Sequence, residues 1–481
     1  MRVRTTHEGE RLVLHLTPKG REPRGASPRM VGRSVTLEPV PHDPVHPDVV
    51  ALVALLTVHP WQDGRLEMDR PVSQVFAAAV QYGLGIEVGP VDPSVEPRPC
   101  PQDGPVALAY SGGVDCTAAL EVLGPTARAY YQQRHRFDGQ PVGGKIDPSA
   151  ALAAVDHIAE QGIATRVVRT DLELLRDPMG FPHDLVNATP ALLWAEHDDT
   201  SAMCWGTVLT SATTLGATAY RPYEQSPFVA EFGPAFQAVG LPVANVVAGV
   251  SEVGTAIITE ESPYGALAAS CQRGTPGRPC MRCWKCGRKT LSTLGVTDEW
   301  PPGRELDRFL QQDEIARNLR RRPIKVEVAL AWAARRYVES QNADHASRVM
   351  LALHELTRGV DASPLAASFT PALDPLPARL RTGVQEALAH HLEPMTPAQE
   401  QWVRDWTLES HGTQEARDAA RARLAEALDP ERNPVGREDF DPTTLVPATP
   451  QWGPPATYAT GLRARLGSRV AGRWPFSRSG R

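Results

Sequence analysis

The sequence predicts an α/β fold with a doubly wound, mainly parallel sheet. Residues 104–295 alternate short apolar runs with helical patterns, which is typical of strands joined by crossover helices. The chain has 481 residues and 42% hydrophobic residues, enough for several cores. We therefore expect a small α+β domain over 1–100, the α/β domain over 104–295, a helical region over 301–430 and a Pro/Arg-rich tail over 431–481.

The N-terminal region begins with alternating apolar and polar residues at 12–16 and 34–37, which predict two strands. Apolar residues at helical spacing predict helices at 47–56 and 71–82. The proline-rich run 90–105 predicts a linker to the α/β domain.

The central region supplies most of the sheet. Strands are predicted at 106–110, 127–131, 164–168, 203–209 and 243–247. Helices are predicted at 114–123, 147–161 and 189–196, and in the region that follows at 306–319, 325–340, 346–357 and 414–428. Because ligands bind such sheets beyond the carboxyl ends of the strands, the end of the first central strand is a candidate site.

That first central strand runs into a small-residue turn and then a helix. The turn and the start of the helix read Ser111, Gly112, Gly113, Val114, Asp115, Cys116 and Thr117. A strand, a glycine turn and a helix together direct backbone N–H groups at an anion, and glycine allows a phosphate to approach closely. Asp115 is placed either to hold a metal or to orient the loop, and Cys116 is a poor hydrogen-bond donor, which leaves Thr117 as a donor. An ordinary glycine turn is the alternative.

Four of the seven cysteines form a second motif. Cys271, Cys280, Cys283 and Cys286 follow the spacing Cys-x8-Cys-x2-Cys-x2-Cys, which suits a closed tetrahedral zinc site of structural type. The neighbouring cations Arg282, Lys285, Arg288 and Lys289 would offset the charge of four thiolates. A disulfide pair and an iron–sulfur cluster are the alternatives. Because the first residues lack an apolar signal stretch, we expect a cytoplasmic protein, where thiols stay reduced.

The loop resembles the Ser-Gly-Gly-x-Asp-Ser/Thr loop of the PP-loop ATP pyrophosphatases, which adenylate a substrate oxygen. The loop followed by four cysteines resembles the 7-cyano-7-deazaguanine synthases of that superfamily. The layout, with regions on both sides and a Cys-x-x-Cys-x-Lys-Cys element at 280–286, resembles the ATP-dependent UDP-N-acetylmuramoyl-L-alanyl-L-glutamate epimerases. Glu252 stands where the deazaguanine enzymes have a lysine.

The resemblance implies a PP-loop fold of the HUP type for 104–295, with ATP and Mg²⁺ bound at 111–117 and structural Zn²⁺ on the four cysteines. It implies catalytic roles for Ser111 and Asp115. It also implies that the segment after the fourth central strand lines a substrate pocket. There Arg221 would grip a carboxylate, Tyr223 would stack or donate, and Glu224 would act as a base or contact a ribose. A solvated surface loop is the alternative for this segment.

The resulting functional prediction is an ATP-dependent enzyme that adenylates a carboxylate or carbonyl oxygen of a small substrate, releasing AMP and diphosphate. The later step is of ligase or epimerase type. The alternatives are a non-catalytic zinc-binding nucleotide sensor or scaffold, and a nucleic-acid-binding module.

Charge and hydropathy restrict the partners. The net charge of −6 predicts no general attraction to nucleic acid, and no apolar run reaches the length of a membrane span. The last twenty residues are basic and amphipathic, and their arginines are Arg463, Arg465, Arg469, Arg473, Arg478 and Arg481. This tail is expected to be either solvated or in contact with an anionic partner.

Overall fold

The computed structural model describes residues 1–18, 28–140, 142, 146–216, 219–340, 346–407 and 414–445. The strands in these ranges are β1 (Arg2–Glu8), β2 (Arg11–Thr17), β3 (Arg29–Met30), β4 (Ser34–Glu38), β5 (Arg65–Val72), β6 (Glu87–Val91), β7 (Val106–Ala109), β8 (Arg128–Arg134), β9 (Ala164–Thr170), β10 (Arg176–Asp177) and β11 (Ala202–Trp205).

The α-helices of the first half are α1 (Pro47–Val58), α2 (Gln74–Leu84), α3 (Val114–Leu123), α4 (Ser149–Glu160), α5 (Thr189–Trp194) and α6 (Leu209–Thr213). After residue 230 come α7 (Gly233–Ala238), α8 (Glu252–Glu261), α9 (Trp284–Thr297), α10 (Gly303–Leu310), α11 (Asp313–Leu319), α12 (Glu327–Ser340), α13 (Arg348–Leu356), α14 (Ala378–Ala389), α15 (Pro397–Arg404) and α16 (Gln414–Ala427). None of the helices described is long and apolar enough to cross a bilayer.

Nine strands form one mixed, largely parallel sheet in the order β11-β7-β8-β9-β4-β2-β1-β5-β6. The strands β11, β7, β8 and β9 are parallel to one another, as are β1, β5 and β6, whereas the pairs β9–β4, β4–β2 and β2–β1 are antiparallel. The prediction of an α/β fold with a largely parallel sheet and a helical region toward the C-terminus is confirmed. The sheet runs without a break from the N-terminal strands into the central ones, through the pairs Leu37 with Thr170 and Glu38 with Arg169.

The strand β7 shows why this sheet is buried on both faces. All four of its residues are buried. Val106 and Leu108 lie in a core with α3 and α4, while Ala107 and Ala109 lie in a second core with α1 and α5. A continuous apolar run is typical of a parallel strand covered by helices on both sides.

Most predicted elements form close to their expected bounds, and α3 matches exactly. The strand predicted at 243–247 is wrong, since Val243 makes a single bridge to Met203 and turns follow. There the Asn245 side chain, rather than a strand, accepts the Trp205 N–H at 2.9 Å. The strand predicted at 203–209 ends at Trp205.

The remaining differences concern two helices and the tail. The helix predicted at 71–82 begins later, at Gln74, because β5 continues through Val72. The helix predicted at 306–319 is split into α10 and α11, where the buried Gln311 amide donates to the carbonyls of Ala427 and Asn433. The basic stretch after residue 461 lies outside the described residues.

A buried histidine ties the C-terminal helices to α3. His391 Nδ1 lies 2.6 Å from Glu261, and its Nε2 lies 3.6 Å from Glu121 of α3. Burial alone would lower the pKa of His391, but the two carboxylates outweigh it and raise the pKa to about 9. The imidazolium therefore stabilises the fold at neutral pH.

We expect the His391→Gln variant to lose a pH-dependent part of its stability. The ion pairs contribute fully below the ordinary histidine pKa of 6.5, and the contribution disappears as the pH rises through about 9. The loss at pH 6 should be on the order of 2 kcal/mol and should shrink toward pH 9.5. Urea unfolding at both pH values measures it. A His42→Gln control, which changes an exposed side chain, should follow the parent protein, and equal losses at both pH values would contradict the expectation.

Candidate functional site

The loop between β7 and α3 is shaped by two glycines. Gly112 has φ +72°, and a Cβ there would lie 2.9 Å from the Ala154 Cβ, so glycine is required on both counts. Gly113 precedes α3 and offers no side chain to cap it. The first N–H groups of α3 have no partner within the helix. Among the described residues, only the Val114 N–H is bound by a side chain, the hydroxyl of Ser270 at 3.3 Å. The loop therefore presents N–H groups suited to an anion.

The Cys116 thiol stabilises this loop through hydrogen bonds to its backbone. It donates to the carbonyl of Gly113 at 3.1 Å and accepts the N–H of Ser111 at 3.4 Å. Burial raises the pKa of Cys116. The side chain is thus a protonated structural thiol, because a nucleophilic cysteine needs a lowered pKa.

The backbone after β11 approaches the start of α3 very closely. A Cβ at Gly206 would lie 2.6 Å from the Cys116 nitrogen and 2.7 Å from the Asp115 carbonyl carbon. Only glycine fits there, so the end of β11 fixes the position of the loop from the opposite side.

Asp115 is held by groups from the second half of the chain. Its Oδ1 accepts from Lys289 of α9 at 2.5 Å and from Thr255 of α8 at 2.7 Å. Burial alone would raise the pKa of Asp115, but the charges of Lys289 and then Arg288 outweigh it, and the pKa is lowered. Arg288 in turn lies 3.4 Å from the buried Glu252. The carboxylate is therefore ionised and anchors α9 to the loop.

The four cysteines form a compact sulfur cluster. Their Sγ atoms all lie within 4.8 Å of one another, with Cys283 and Cys286 3.5 Å apart and Cys280 and Cys286 3.9 Å apart. Tetrahedral Zn–S bonds of about 2.3 Å require sulfur separations of about 3.8 Å, so the donor set fits zinc. The Cys271 sulfur also accepts the N–H groups of Arg273 and Cys280 at 3.4 and 3.3 Å. The cluster can hold a structural metal ion such as zinc.

The segment that carries Cys271 also contacts the loop. Ala269 donates its N–H to the Gly112 carbonyl at 2.7 Å, and Ser270 binds Val114 as described above. On the other side of the cysteines, Glu314 accepts from Arg273 at 2.6 Å and from the Trp284 N–H at 3.1 Å. The segment 269–289, which holds the four cysteines and the cations of α9 and is called the cysteine module below, is thus packed between the loop and α11.

A cavity of about 400 Å³ opens beyond the carboxyl ends of β7, β8 and β11. Its wall on this side includes Ser111, Gly113, Asp115, Cys116, Lys285 and Arg288. Lys285 lines the cavity. Its pKa is lowered, mainly because the surrounding protein removes water from the ammonium group and secondly because of the nearby Arg288 charge. The loop and the cations of the cysteine module therefore share one cavity, with the chemistry of an anion-binding site.

The sequence-predicted site residues divide into two groups. Most of the loop residues and the cysteines lie at or next to the cavity. Thr117 is buried, and its hydroxyl lies 3.2 Å from that of Tyr110. Arg221, Tyr223 and Glu224 are not among the cavity-lining residues.

Each of these last three side chains has a different environment. The Arg221 guanidinium donates to the Ala212 carbonyl at 3.3 Å. Tyr223 is buried and accepts from the Asn245 amide at 2.7 Å, while Glu224 is exposed. The structure does not bring the three together at the loop.

Sequence reasoning missed some of the groups that surround the loop. The sequence predicts a role only as counter-charges for the cysteines for Lys285, Arg288 and Lys289. Gln132 and Arg134, which also line the cavity, had not been singled out. The available signal was the run of three polar residues, Gln132, Gln133 and Arg134, that follows the apolar stretch 129–131 at the end of β8.

Comparison with known proteins adds one match. A model of a family of unknown function, DUF6395, matches residues 231–407. No curated protein and no solved structure matches the chain. The matched segment holds the four cysteines and the cations of α9, and it begins after the loop.

Proposed function

We propose that this protein is an ATP-dependent enzyme of the PP-loop (HUP) type that adenylates a carboxylate or carbonyl oxygen of a small substrate. The observation that carries the proposal is the shared cavity. The Ser-Gly-Gly loop at the carboxyl end of β7 faces the same space as two cations of the cysteine module, Lys285 and Arg288. A cytoplasmic setting belongs to the proposal, because it keeps the four thiols reduced.

In this proposal the loop binds the phosphates. The N–H groups at the start of α3, with the Ser111 hydroxyl, would bind the diphosphate part of ATP, and Lys285 and Arg288 would neutralise its charge. Mg²⁺ would be held mainly by phosphate oxygens, as is usual for this ion. Asp115 acts by positioning, since the Oδ1 of its carboxylate is taken by Lys289 and Thr255.

The chemical step proposed is a displacement at the α-phosphorus. A substrate oxygen forms a bond to the α-phosphorus while the bond to the bridging oxygen of the β-phosphate breaks, and diphosphate leaves with the electron pair. Preorganised donors around the leaving group stabilise the charge that develops on it. A nucleophile such as ammonia or water then forms a bond to the activated carbon, the bond from that carbon to the AMP oxygen breaks, and AMP leaves with the electron pair; in an epimerase a base would first remove and return a proton on the adenylate.

The test uses purified protein, Mg²⁺ and ATP labelled at the α-phosphate. The panel contains carboxylated deazaguanine with ammonia and UDP-muramoyl dipeptides. AMP and diphosphate formed only with one panel member would support the proposal and identify the substrate class. Tight ATP binding without AMP would favour the nucleotide sensor, and salt-dependent DNA or RNA binding without ATP binding would favour the nucleic-acid module.

Asp115→Asn is expected to reduce AMP formation by about 100-fold or more while the protein stays folded. The amide keeps the size of the carboxylate but removes the charge that holds Lys289 beside the loop. Turnover and circular dichroism measure the two effects. Asp103→Asn, at an exposed position outside the cavity, is the control and should retain parental activity. Parental turnover in Asp115→Asn would remove Asp115 from the mechanism.

A further inference from the structure

The cavity has a second polar end, formed by the last residues of β8. In the sheet register Ala109 of β7 pairs with Tyr130 of β8, and β7 ends there. Gln132 and Arg134 lie further along β8, on the same face as Tyr130, with β9 as their remaining neighbour. They line the cavity because no part of β7 covers them on that flank.

These two side chains are buried and only partly satisfied. Gln132 is 7% exposed and Arg134 9% exposed. One terminal nitrogen of Arg134 binds the Glu173 carboxylate. Nε and Nη1 of Arg134, and both amide atoms of Gln132, have no hydrogen-bond partner among the described residues. A buried polar group without a partner is unfavourable, so a ligand that supplies the missing partners gains binding free energy here.

The charges at this end differ from those at the loop. Glu173 neutralises Arg134, and the carboxylate of Asp184 also lines the cavity. At the loop end the three cations Lys285, Arg288 and Lys289 outnumber the two carboxylates Asp115 and Glu252, so this end keeps a net positive charge. An anionic group is therefore favoured at the loop, and a neutral hydrogen-bonding group is favoured at β8.

The adjacent wall is aromatic and rigid. Trp205 and Phe228 line the cavity and pack edge to face, with ring centroids 5.6 Å apart. The Trp205 indole N–H donates to the Asn187 amide oxygen at 2.7 Å, and this hydrogen bond also holds the Trp205 ring in place. Such a wall suits a flat ligand, because aromatic surfaces bind planar groups through their faces and edges.

We propose that Gln132, Arg134 and Glu173 form a subsite, the β8 subsite, for a neutral planar group with a heterocyclic or carboxamide edge. The Gln132 amide pairs with a neighbouring donor and acceptor on that edge, as glutamine pairs with a nucleobase edge. The free N–H groups of Arg134 donate to further acceptors. The assignment of an anionic group to the loop end of the cavity rests on the proposed function. The ligand of the β8 subsite is either the base of the nucleotide or a separate small molecule.

The test variant is Gln132→Met, which keeps the length of the side chain and removes the two unpartnered polar atoms. Binding is measured by titration calorimetry with ATP, inorganic tripolyphosphate, adenine, hypoxanthine and nicotinamide. We expect a loss of about tenfold to a hundredfold for at least one probe with a planar edge, and no change for tripolyphosphate. Weakened ATP binding assigns the base of the nucleotide, and weakening of a free heterocycle alone assigns a separate molecule.

The thermal stability of Gln132→Met gives a second readout. Because the change removes buried unpartnered atoms, its melting temperature should equal or exceed that of the parent. Gln133→Met is the matched control, since Gln133 is the next residue on β8 and does not line the cavity. That variant should bind every probe as the parent does.

Three results would overturn the subsite. They are unchanged binding of all probes by Gln132→Met, no binding of any planar probe by the parent, and equal losses in the two glutamine variants. Failure of the proposed function has a different signature. Binding of a planar probe through Gln132 without any AMP formation would support the subsite and contradict adenylation. AMP formation that Gln132→Met leaves unchanged would support adenylation and contradict the subsite.

Discussion

Replacing Cys286 with serine is expected to abolish metal retention and unfold the cysteine module. The parent protein should purify with one zinc ion per chain, and the variant with almost none. A structural zinc site of four thiolates contributes on the order of 10 kcal/mol to local folding. The Cys286 sulfur is buried and lies within 4.8 Å of the other three, so no water can take its place at the same geometry. Metal analysis and thermal unfolding measure the two effects.

Cys100→Ser provides the matched control for this substitution. Cys100 is a free, partly buried cysteine outside the cluster, and its replacement should change neither zinc content nor melting temperature by a comparable amount. Zinc retained at the parental level in Cys286→Ser would contradict the four-cysteine site. Visible absorbance and bound iron in the parent would instead identify an iron–sulfur cluster.

Gly206→Ala is expected to displace the loop and destabilise the protein by about 3 kcal/mol. The added Cβ would meet the backbone of Asp115 and Cys116 at less than 3 Å, so one of the two backbone segments must shift to admit it. A displacement of about 1 Å in a site of this kind reduces turnover by about 100-fold. Urea unfolding and tripolyphosphate affinity, compared with the parent, test both parts.

The control for Gly206→Ala is Gly383→Ala in the interior of α14. A Cβ at Gly383 would meet no atom within 4 Å, and alanine favours a helix over glycine by about 1 kcal/mol. This variant should equal or exceed the parent in stability. If Gly206→Ala behaved in the same way, the close approach of β11 to α3 would be refuted.

The parts of the structure that the sequence predicts well are governed by local signals. The helix α3 begins after two glycines and ends at Gly124, where φ is +74°, and both limits are visible in the sequence. The cysteine cluster is predicted because three of its members are spaced three residues apart, which is a typical spacing of metal ligands. The apolar run at 243–247 misleads, because a buried turn and a buried strand have the same composition.

The parts that the sequence does not predict depend on contacts between distant residues. The Asp115–Lys289 ion pair joins residues 174 positions apart, and no pattern in either segment indicates the other. The join between β4 and β9 likewise depends on two strands from different predicted domains. The unpartnered atoms of Gln132 become visible only once the end of β7 is known.

The helix α9 carries a member of the cysteine cluster and the ion-pair partner of Asp115 within a single turn. Cys286 and Lys289 are three residues apart on it, and Lys285 and Arg288 lie beside them. The start of α9 is fixed by the cysteines, whose sulfurs lie at its first turn. If a metal ion fills the cysteine cluster, a freshly synthesised chain that has not yet bound it would therefore also lack an ordered set of cations at the loop. The supply of metal would then determine how many molecules have an ordered anion site at the loop, rather than the affinity of each ordered site.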